Sequence, residues 1–297
     1  MQAVILPVFI VIAVGFILRK LIAIETVSIS NVVLHVFTPC LVFTSIMGSS
    51  LGSNDWWKVS VIAIASTLVL IVLSWTIARV LGLGRELATA FILSTSFVNA
   101  GNYGLPLNLF AFGERGLELA VVFFVVTFVL VFTLGVFIAC NSRGGVRQAV
   151  NSVVRLPLTY ALLAAVVVRF SGFVVPPPVL QGVNLMSQAT IPSMLIVLGM
   201  ELARSNFQQV VNWKLVSLSS AIKLLFPILL VAVISEAIGL GGVARNVTLV
   251  QASTPTAVFA VILTIKFGGN SRFVTSVIVL STMTSILTLT VLLSFLL

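Results

Sequence analysis

Apolar stretches of about 20 residues recur along the chain, at 2–20, 28–48, 56–80, 86–112, 116–140, 157–174, 177–202, 213–237, 244–267 and 272–297. A helix of about 20 apolar residues crosses the roughly 30 Å hydrocarbon core of a bilayer. The pattern therefore predicts ten membrane spans joined by short polar segments. None of the stretches keeps the in-out alternation of an outer-membrane barrel strand, and in lipid a helix satisfies its own backbone. The predicted fold class is an all-α membrane protein.

Composition agrees. Of 297 residues, 60% are hydrophobic and only 8% charged, with a mean hydropathy of +1.25. A water-soluble domain devotes about a quarter of its residues to charge, so none is expected here. The net charge of +9 then reports on helix ends and not on a nucleic-acid partner. Ten spans return the chain to the side on which it began, so the connecting segments alternate. One set holds 11 Lys and Arg, among them Arg19, Lys20, Arg79, Arg85, Lys266 and Arg272; the other holds 4, namely Lys58, Arg115, Arg169 and Arg245. The excess assigns the first set to the cytoplasm. This predicts a multi-pass protein of the plasma membrane (the inner membrane of a bacterium) with both termini on the non-cytoplasmic side. The opening MQAVILPVFIVIAVGFILRK lacks the charged start and small-residue cleavage site of a signal peptide and reads as a retained first helix. Cys40 and Cys140 read as small apolar filler, with no disulfide framework, no metal cluster and no cofactor implied.

The helix breakers and aromatics repeat in order. Pro7 pairs with Pro157, Pro39 with Pro192, Trp57-Lys58 with Trp213-Lys214, Gly82-Leu83 with Gly239-Leu240, Pro106 with Pro255 and Phe112-Gly113 with Phe267-Gly268, at offsets between 149 and 157 residues. Residues 1–140 and 156–297 then form two five-span repeats, with a cytoplasmic linker at 141–155. Five is odd, so the second copy enters the membrane from the opposite side. Inverted repeats of this kind place a binding site near the midplane, where interrupted helices meet, and move one bundle against another. Transport becomes the leading function.

Two spans carry the interruptions. The fourth crowds Asn99, Gly101, Asn102, Gly104 and Pro106 into eight residues, a composition that should open an extended stretch between two half-helices. The ninth does the same around Pro255, with Gln251, Ser253, Thr254 and Thr256 beside it. Unwound backbone at membrane depth is tolerated where it is buried in protein or lines a cavity. Half-helix N-termini aimed at the crossing favour an anion, a carboxylate above all. Asn99, Gly101, Asn102, Gly104, Pro106, Gln251, Ser253, Thr254 and Pro255 are the candidate substrate-binding residues. Lys223, about ten residues into the eighth span, is a candidate charge partner for the anion, a lock on the bundle, or a snorkelling side chain. His35, the one histidine, is a candidate proton carrier.

FTPCLVF, NAGNYGLPL, IPSMLIVLGMEL, IKLLFPILL and VQASTPTAVF, in spans two, four, seven, eight and nine, resemble the auxin efflux carrier family, which includes plant PIN-type auxin carriers and bacterial permeases for malate and malonate. The resemblance covers nearly the whole chain. It implies a scaffold of spans one, two, six and seven beside a transport bundle of the other six. It also implies a substrate carboxylate at the crossing, with Asn99, Gly104, Pro106 and Pro255 on the family's crossover positions, and a homodimer packed through the scaffold. The short 141–155 segment and Thr256 after Pro255 depart from the long plant carriers, which points to a bacterial-type permease and away from auxin as substrate.

The seven acids, Glu25, Asp55, Glu86, Glu114, Glu118, Glu201 and Glu236, all fall at or near span ends. A cation antiporter or a sodium-coupled symporter would want such groups at the breaks. With the cell interior negative, an anion leaving the cell gains about 2.3 kcal/mol per charge per 100 mV. The expected activity is therefore facilitated efflux or exchange of a small organic carboxylate by elevator-like alternating access. The alternative transport reading is proton-coupled dicarboxylate import. A receptor gains little from symmetry between the two membrane faces. An enzyme is not expected: one histidine, no HExxH or GxSxG and no intramembrane aspartate pair leave no catalytic residues to name.

Overall fold

The computed structural model describes residues 2–22, 24–49, 51–140, 154, 156–204, 212–267 and 269–297. Among these residues regular structure is helical, apart from an isolated antiparallel bridge between Val98 and Thr256. The chain opens with α1 (Gln2–Leu21), α2 (Thr26–Met47), α3 (Ser53–Val80) and α4 (Arg85–Ser96). Helix resumes at Ala100 and runs to Cys140, but Gly113 sits at φ 66° and ψ −160°. Only glycine adopts that conformation without strain, and it divides the run into α5 (100–112) and α6 (114–140). The second half comprises α7 (Pro157–Ser171), α8 (Pro177–Arg204), α9 (Trp213–Ala237), α10 (Gly242–Ala252), α11 (Phe259–Phe267) and α12 (Ser271–Leu296). The expected linker at 141–155 falls, Val154 apart, outside the described residues.

Six of the described helical runs are long and apolar enough to cross a membrane: Thr26–Met47, Asn54–Val80, Ala100–Cys140, Pro177–Ala203, Trp213–Ala237 and Ser271–Leu296. This is a multi-pass membrane protein. Its outward faces carry stripes at helical spacing, Leu225, Leu229 and Val233 on α9 and Leu287, Val291 and Phe295 on α12, all exposed. In water such stripes would drive association; in a bilayer they meet hydrocarbon.

Two apolar windows, 86–112 and 244–267, are each split into a pair of shorter helices. The first break lies at 97–99, upstream of Pro106, which instead occupies the first turn of the Leu105–Leu130 helical stretch. That stretch follows directly on the π turn Ala100–Gly104, where the helix that resumes at Ala100 departs from regular hydrogen-bond register. Pro255 stands inside its break, between α10 and α11.

The helices pack as two groups. In one, α1 lies along α8, and α2 packs between α7 and α8. In the other, α3 packs on α4 and on the 105–130 stretch, α10 packs on that same stretch, and α9 lies along α12. The approach of α1 to α8 depends on glycine: a Cβ at Gly199 would land on the Ile12 carbonyl oxygen, and one at Gly15 on the Ile196 carbonyl oxygen. Small residues of this kind let membrane helices come into backbone contact, where van der Waals packing replaces the missing hydrophobic drive.

That contact predicts the effect of filling it. Gly199→Leu should cost on the order of 1–3 kcal/mol through overpacking and lower the thermal midpoint of the purified protein by several degrees. Gly52→Ala, where a Cβ would meet nothing within 4 Å, should leave the midpoint unchanged. Equal midpoints for the two variants in a detergent melting assay would show that the α1–α8 contact is looser than described.

Candidate functional site

The two breaks close on each other. Phe97 is extended at φ −97° and ψ 130°, and Asn99 leaves helical geometry at φ −82° and ψ 59°. The Asn99 N–H donates to the Pro255 carbonyl at 2.8 Å, and the Ala257 N–H donates to the Phe97 carbonyl at 3.0 Å. Pro255 needs no acceptor of its own, which suits a residue whose carbonyl alone is required. Around this bridge, Thr256 donates through Oγ1 to the Ser94 carbonyl at 2.7 Å and through its N–H to Ser281 Oγ at 3.2 Å. The Gly104 N–H returns to the Asn99 carbonyl at 3.1 Å. Backbone groups released by the missing helical turns are thereby paired across the crossing, as burial requires.

On one side of the crossing lies a cavity of about 540 Å³ between the two helix groups. Val33, Leu34 and Thr38 of α2 and Met194, Val197 and Leu198 of α8 form one wall. The opposite wall combines Val98 to Asn102, Phe124 and Phe128, Ala257 to Phe259, and Val279 and Thr282 of α12. The walls are mostly apolar, with Phe128 and Phe259 edge to face at 5.7 Å. Polar groups concentrate where the breaks meet. Asn99 is 6% exposed, its Nδ2 is buried with no hydrogen-bond partner, and the Thr282 hydroxyl is likewise unpartnered. Both line the cavity. The first residues of the helix that resumes at Ala100, and those that lead into α11, line it too. Each helix start carries roughly half a positive charge. An apolar chamber ending in two helix N-termini and unpaired donors fits a small anion with little other polarity.

Among the described residues three turns wind as π-helix: Val33–Phe37, Ala100–Gly104 and Val131–Gly135. Each contributes a residue to the cavity wall, in Val33, Ala100 and Val131. Single π turns are frequent at functional sites. The one in α2 is held by Thr38 Oγ1 donating to the Val33 carbonyl at 2.8 Å and by Thr190 Oγ1 of α8 donating to the Phe37 carbonyl at 3.0 Å.

Of the residues singled out from sequence, Asn99, Gly101 and Asn102 line the cavity. Gly104, Pro106, Gln251, Ser253, Thr254 and Pro255 lie behind it, within the crossing. There Gln251 Oε1 fills the space that a Cβ on Gly104 would need, its Nε2 donates to the Ala120 carbonyl at 3.3 Å, and Thr254 Oγ1 donates to the Gln251 carbonyl at 2.8 Å. The Ser253 hydroxyl is buried without a partner. Lys223 is fully buried behind the crossing and donates to the Ala252 carbonyl at 3.3 Å. His35 is on the exposed side of α2, with Nδ1 donating to the Asn31 carbonyl at 3.0 Å. Sequence reasoning did not reach Thr38, Phe124, Phe128, Phe259 or Thr282. A threonine between serines in STMTS was the one local signal for Thr282. Among the described residues no three His, Cys, Asp or Glu side chains gather into a group that could hold a metal.

Membrane-crossing helices in two packed groups, with a chamber between them and interrupted helices at its end, define a membrane transport protein. The chain belongs to the family described as Membrane transport protein, whose model matches residues 2–154 and 146–293. It is 28% identical over 295 residues to an uncharacterized transporter of Methanothermobacter thermautotrophicus, covering 96% of this chain and 95% of the relative. It is 23% identical over 266 residues to an uncharacterized transporter of Methanocaldococcus jannaschii, covering 87% and 86%.

Chamber and crossing should differ in access to aqueous reagents. With Cys40 and Cys140 replaced by serine, Val258→Cys and Asn102→Cys should react with a water-soluble maleimide in intact membranes, whereas Ser253→Cys should react only after denaturation. Rapid labelling of Ser253→Cys in the native protein would mean that the crossing is open to water.

Proposed function

We propose that the protein is a secondary carrier that moves a small organic carboxylate across the plasma membrane, binding it where the two interrupted helices meet. The observation that carries this reading is the unpaired, buried Nδ2 of Asn99 at the end of a largely apolar chamber, flanked by two helix starts. A buried donor without a partner costs about 1–3 kcal/mol, a cost that a bound carboxylate would remove. A carboxylate also meets the partial positive charge of both helix starts, whereas a cation would be repelled.

In the proposed layout ten spans form two inverted repeats, 1–140 and 156–297, with α4 plus α5 as the fourth span and α10 plus α11 as the ninth. Support comes from the ordered recurrence of prolines, glycines and aromatics and from the antiparallel meeting of Val98 with Thr256. The helix group of α1, α2, α7 and α8 would be the scaffold, through which two copies would pair, and the other group the moving bundle. The chamber lies between them, where relative sliding would carry it from one face to the other. Ser30, Asn31, Ser271 and Arg272 at the chamber mouth share a membrane face with Arg19, Lys20 and Lys266. By the positive-inside rule that face is cytoplasmic, which makes this conformation inward-open. Net efflux or exchange follows from the sign of the membrane potential.

The test is flux in sealed proteoliposomes with a panel of mono- and dicarboxylates under imposed voltage and pH gradients. The wild-type protein should move at least one carboxylate faster when the voltage drives anions in that direction. Asn99→Ala should weaken its transport roughly 10- to 100-fold at low substrate, the equivalent of a hydrogen bond to a charged group, with an unchanged thermal midpoint. Undiminished flux in Asn99→Ala would remove Asn99 from the site, and no carboxylate flux in the wild type would sink the carrier reading.

A further inference from the structure

Behind the crossing, away from the chamber, the two half-helices that lead into the breaks each end against α9. The end of α4 meets it through Ser219, whose Oγ lies 2.8 Å from Thr95 Oγ1 and 3.3 Å from Ser94 Oγ. The end of α10 meets it one turn further along, through Lys223 Nζ and the Ala252 carbonyl at 3.3 Å. Ser219, Ser220 and Lys223 occupy one face of α9, at spacings of three and four residues, and all three are buried.

A helix leaves its last four carbonyls without intrahelical partners and carries roughly half a negative charge at that end. The end of α10 can be followed carbonyl by carbonyl. Leu249 and Val250 accept from the Ser253 N–H, and Gln251 accepts from the Thr254 N–H and hydroxyl. Ala252, the last, accepts from Lys223. Two such ends packed on one helix at membrane depth, with no carboxylate paired to Lys223 among the described residues, make a place for a positive charge and not for an anion. Lys223 also stays out of the chamber wall, so it does not touch a ligand held there.

We propose that the Lys223 ammonium is a tethered cation: it occupies, as part of the chain, the place that a free monovalent cation would need to fill for the two half-helix ends to stay together, and so frees the protein from any coupling ion. Lys223 is then a positioning residue, acting on the bound anion only through the crossing. Shortening its side chain would leave a buried space beside the Ala252 carbonyl, on the face of α9 that also carries Ser219 and Ser220, the last with no partner for its hydroxyl. Hard oxygen ligands of this kind suit a small alkali cation.

The inference builds on the carrier reading, but its decisive test does not use the transported anion. Melting midpoints of purified wild type, K223S and K223M are compared in choline, sodium, lithium and potassium chloride at equal ionic strength. The wild-type midpoint should be the same in all four. K223S should fall by roughly 5 °C in choline and recover at least half of that loss in one of the small cations. K223M, whose apolar side chain fills the space, should show no such recovery. K223S that can be purified only with a small cation present supports the proposal equally. K223S unresponsive to every cation or lost in all salts, K223M responding as strongly, or a wild-type midpoint that rises with sodium would each overturn it. If the wild type moves no carboxylate while K223S still answers to a cation, the carrier reading fails and the tethered cation stands.

Discussion

Backbone that leaves a helix at membrane depth has nowhere to go for hydrogen bonds except to the protein itself. Each unmade bond there costs several kcal/mol, so a single interrupted helix would be an expensive solitary feature. The structure answers with two interruptions that complete one another. The Asn99 N–H needs the Pro255 carbonyl, and the Ala257 N–H needs the Phe97 carbonyl. Neither break is stable without the other. Much of the surrounding sequence then has a reason. Thr256 must carry a hydroxyl to reach the Ser94 carbonyl, and Ser281 of α12 must sit where the Thr256 N–H points.

Because the backbone at the crossing is paired, the polar atoms left without partners become informative. Asn99 Nδ2 and the Thr282 hydroxyl face a cavity, in company with two helix starts. Gln251, Ser253 and Thr254, at the second break, pack behind the cavity wall, where Gln251 Nε2 and Thr254 Oγ1 donate to backbone carbonyls while Gln251 Oε1 and Ser253 Oγ stay unpaired. Residues of similar composition thus divide by position: some hold the crossing together, and others remain available to a ligand.

Much of this was legible before any coordinates. Apolar windows located the helices, and the crowding of Asn99, Gly101, Asn102, Gly104 and Pro106 marked the first break to within a few residues. Pro106 itself is misleading as a landmark, because it stands within the helix that resumes at Ala100, just after a π turn, and not in the break. The chamber was harder to read. Phe124, Phe128 and Val131 belong to a continuously apolar helix, and nothing in their neighbourhood separates a residue facing lipid from one facing a cavity. The π turns at Val33–Phe37 and Val131–Gly135 leave no compositional mark either; in the first, the Val33 and Phe37 carbonyls accept from Thr38 nearby and from Thr190, distant in sequence. The grouping of α1, α2, α7 and α8 against the rest came from family resemblance; the glycine contacts that let α1 lie on α8 depend on which faces meet, which spacing along one helix does not reveal.

The crossing also has a polarity that the pairing alone does not require. Four half-helices meet there: two begin and two end. The two beginnings, at Ala100 and Phe259, lie beside the chamber, and the two endings, at Ser96 and Ala252, lie against the serine and lysine face of α9. Partial positive charge therefore faces one side and partial negative charge the other, in low-dielectric protein where such charges act strongly. In the proposed arrangement an anion in the chamber and the Lys223 ammonium behind the crossing would each meet helix ends of opposite sign. A buried lysine with no carboxylate for company is otherwise a costly residue to keep in a membrane; opposite two helix ends it meets the charge that the fold itself creates.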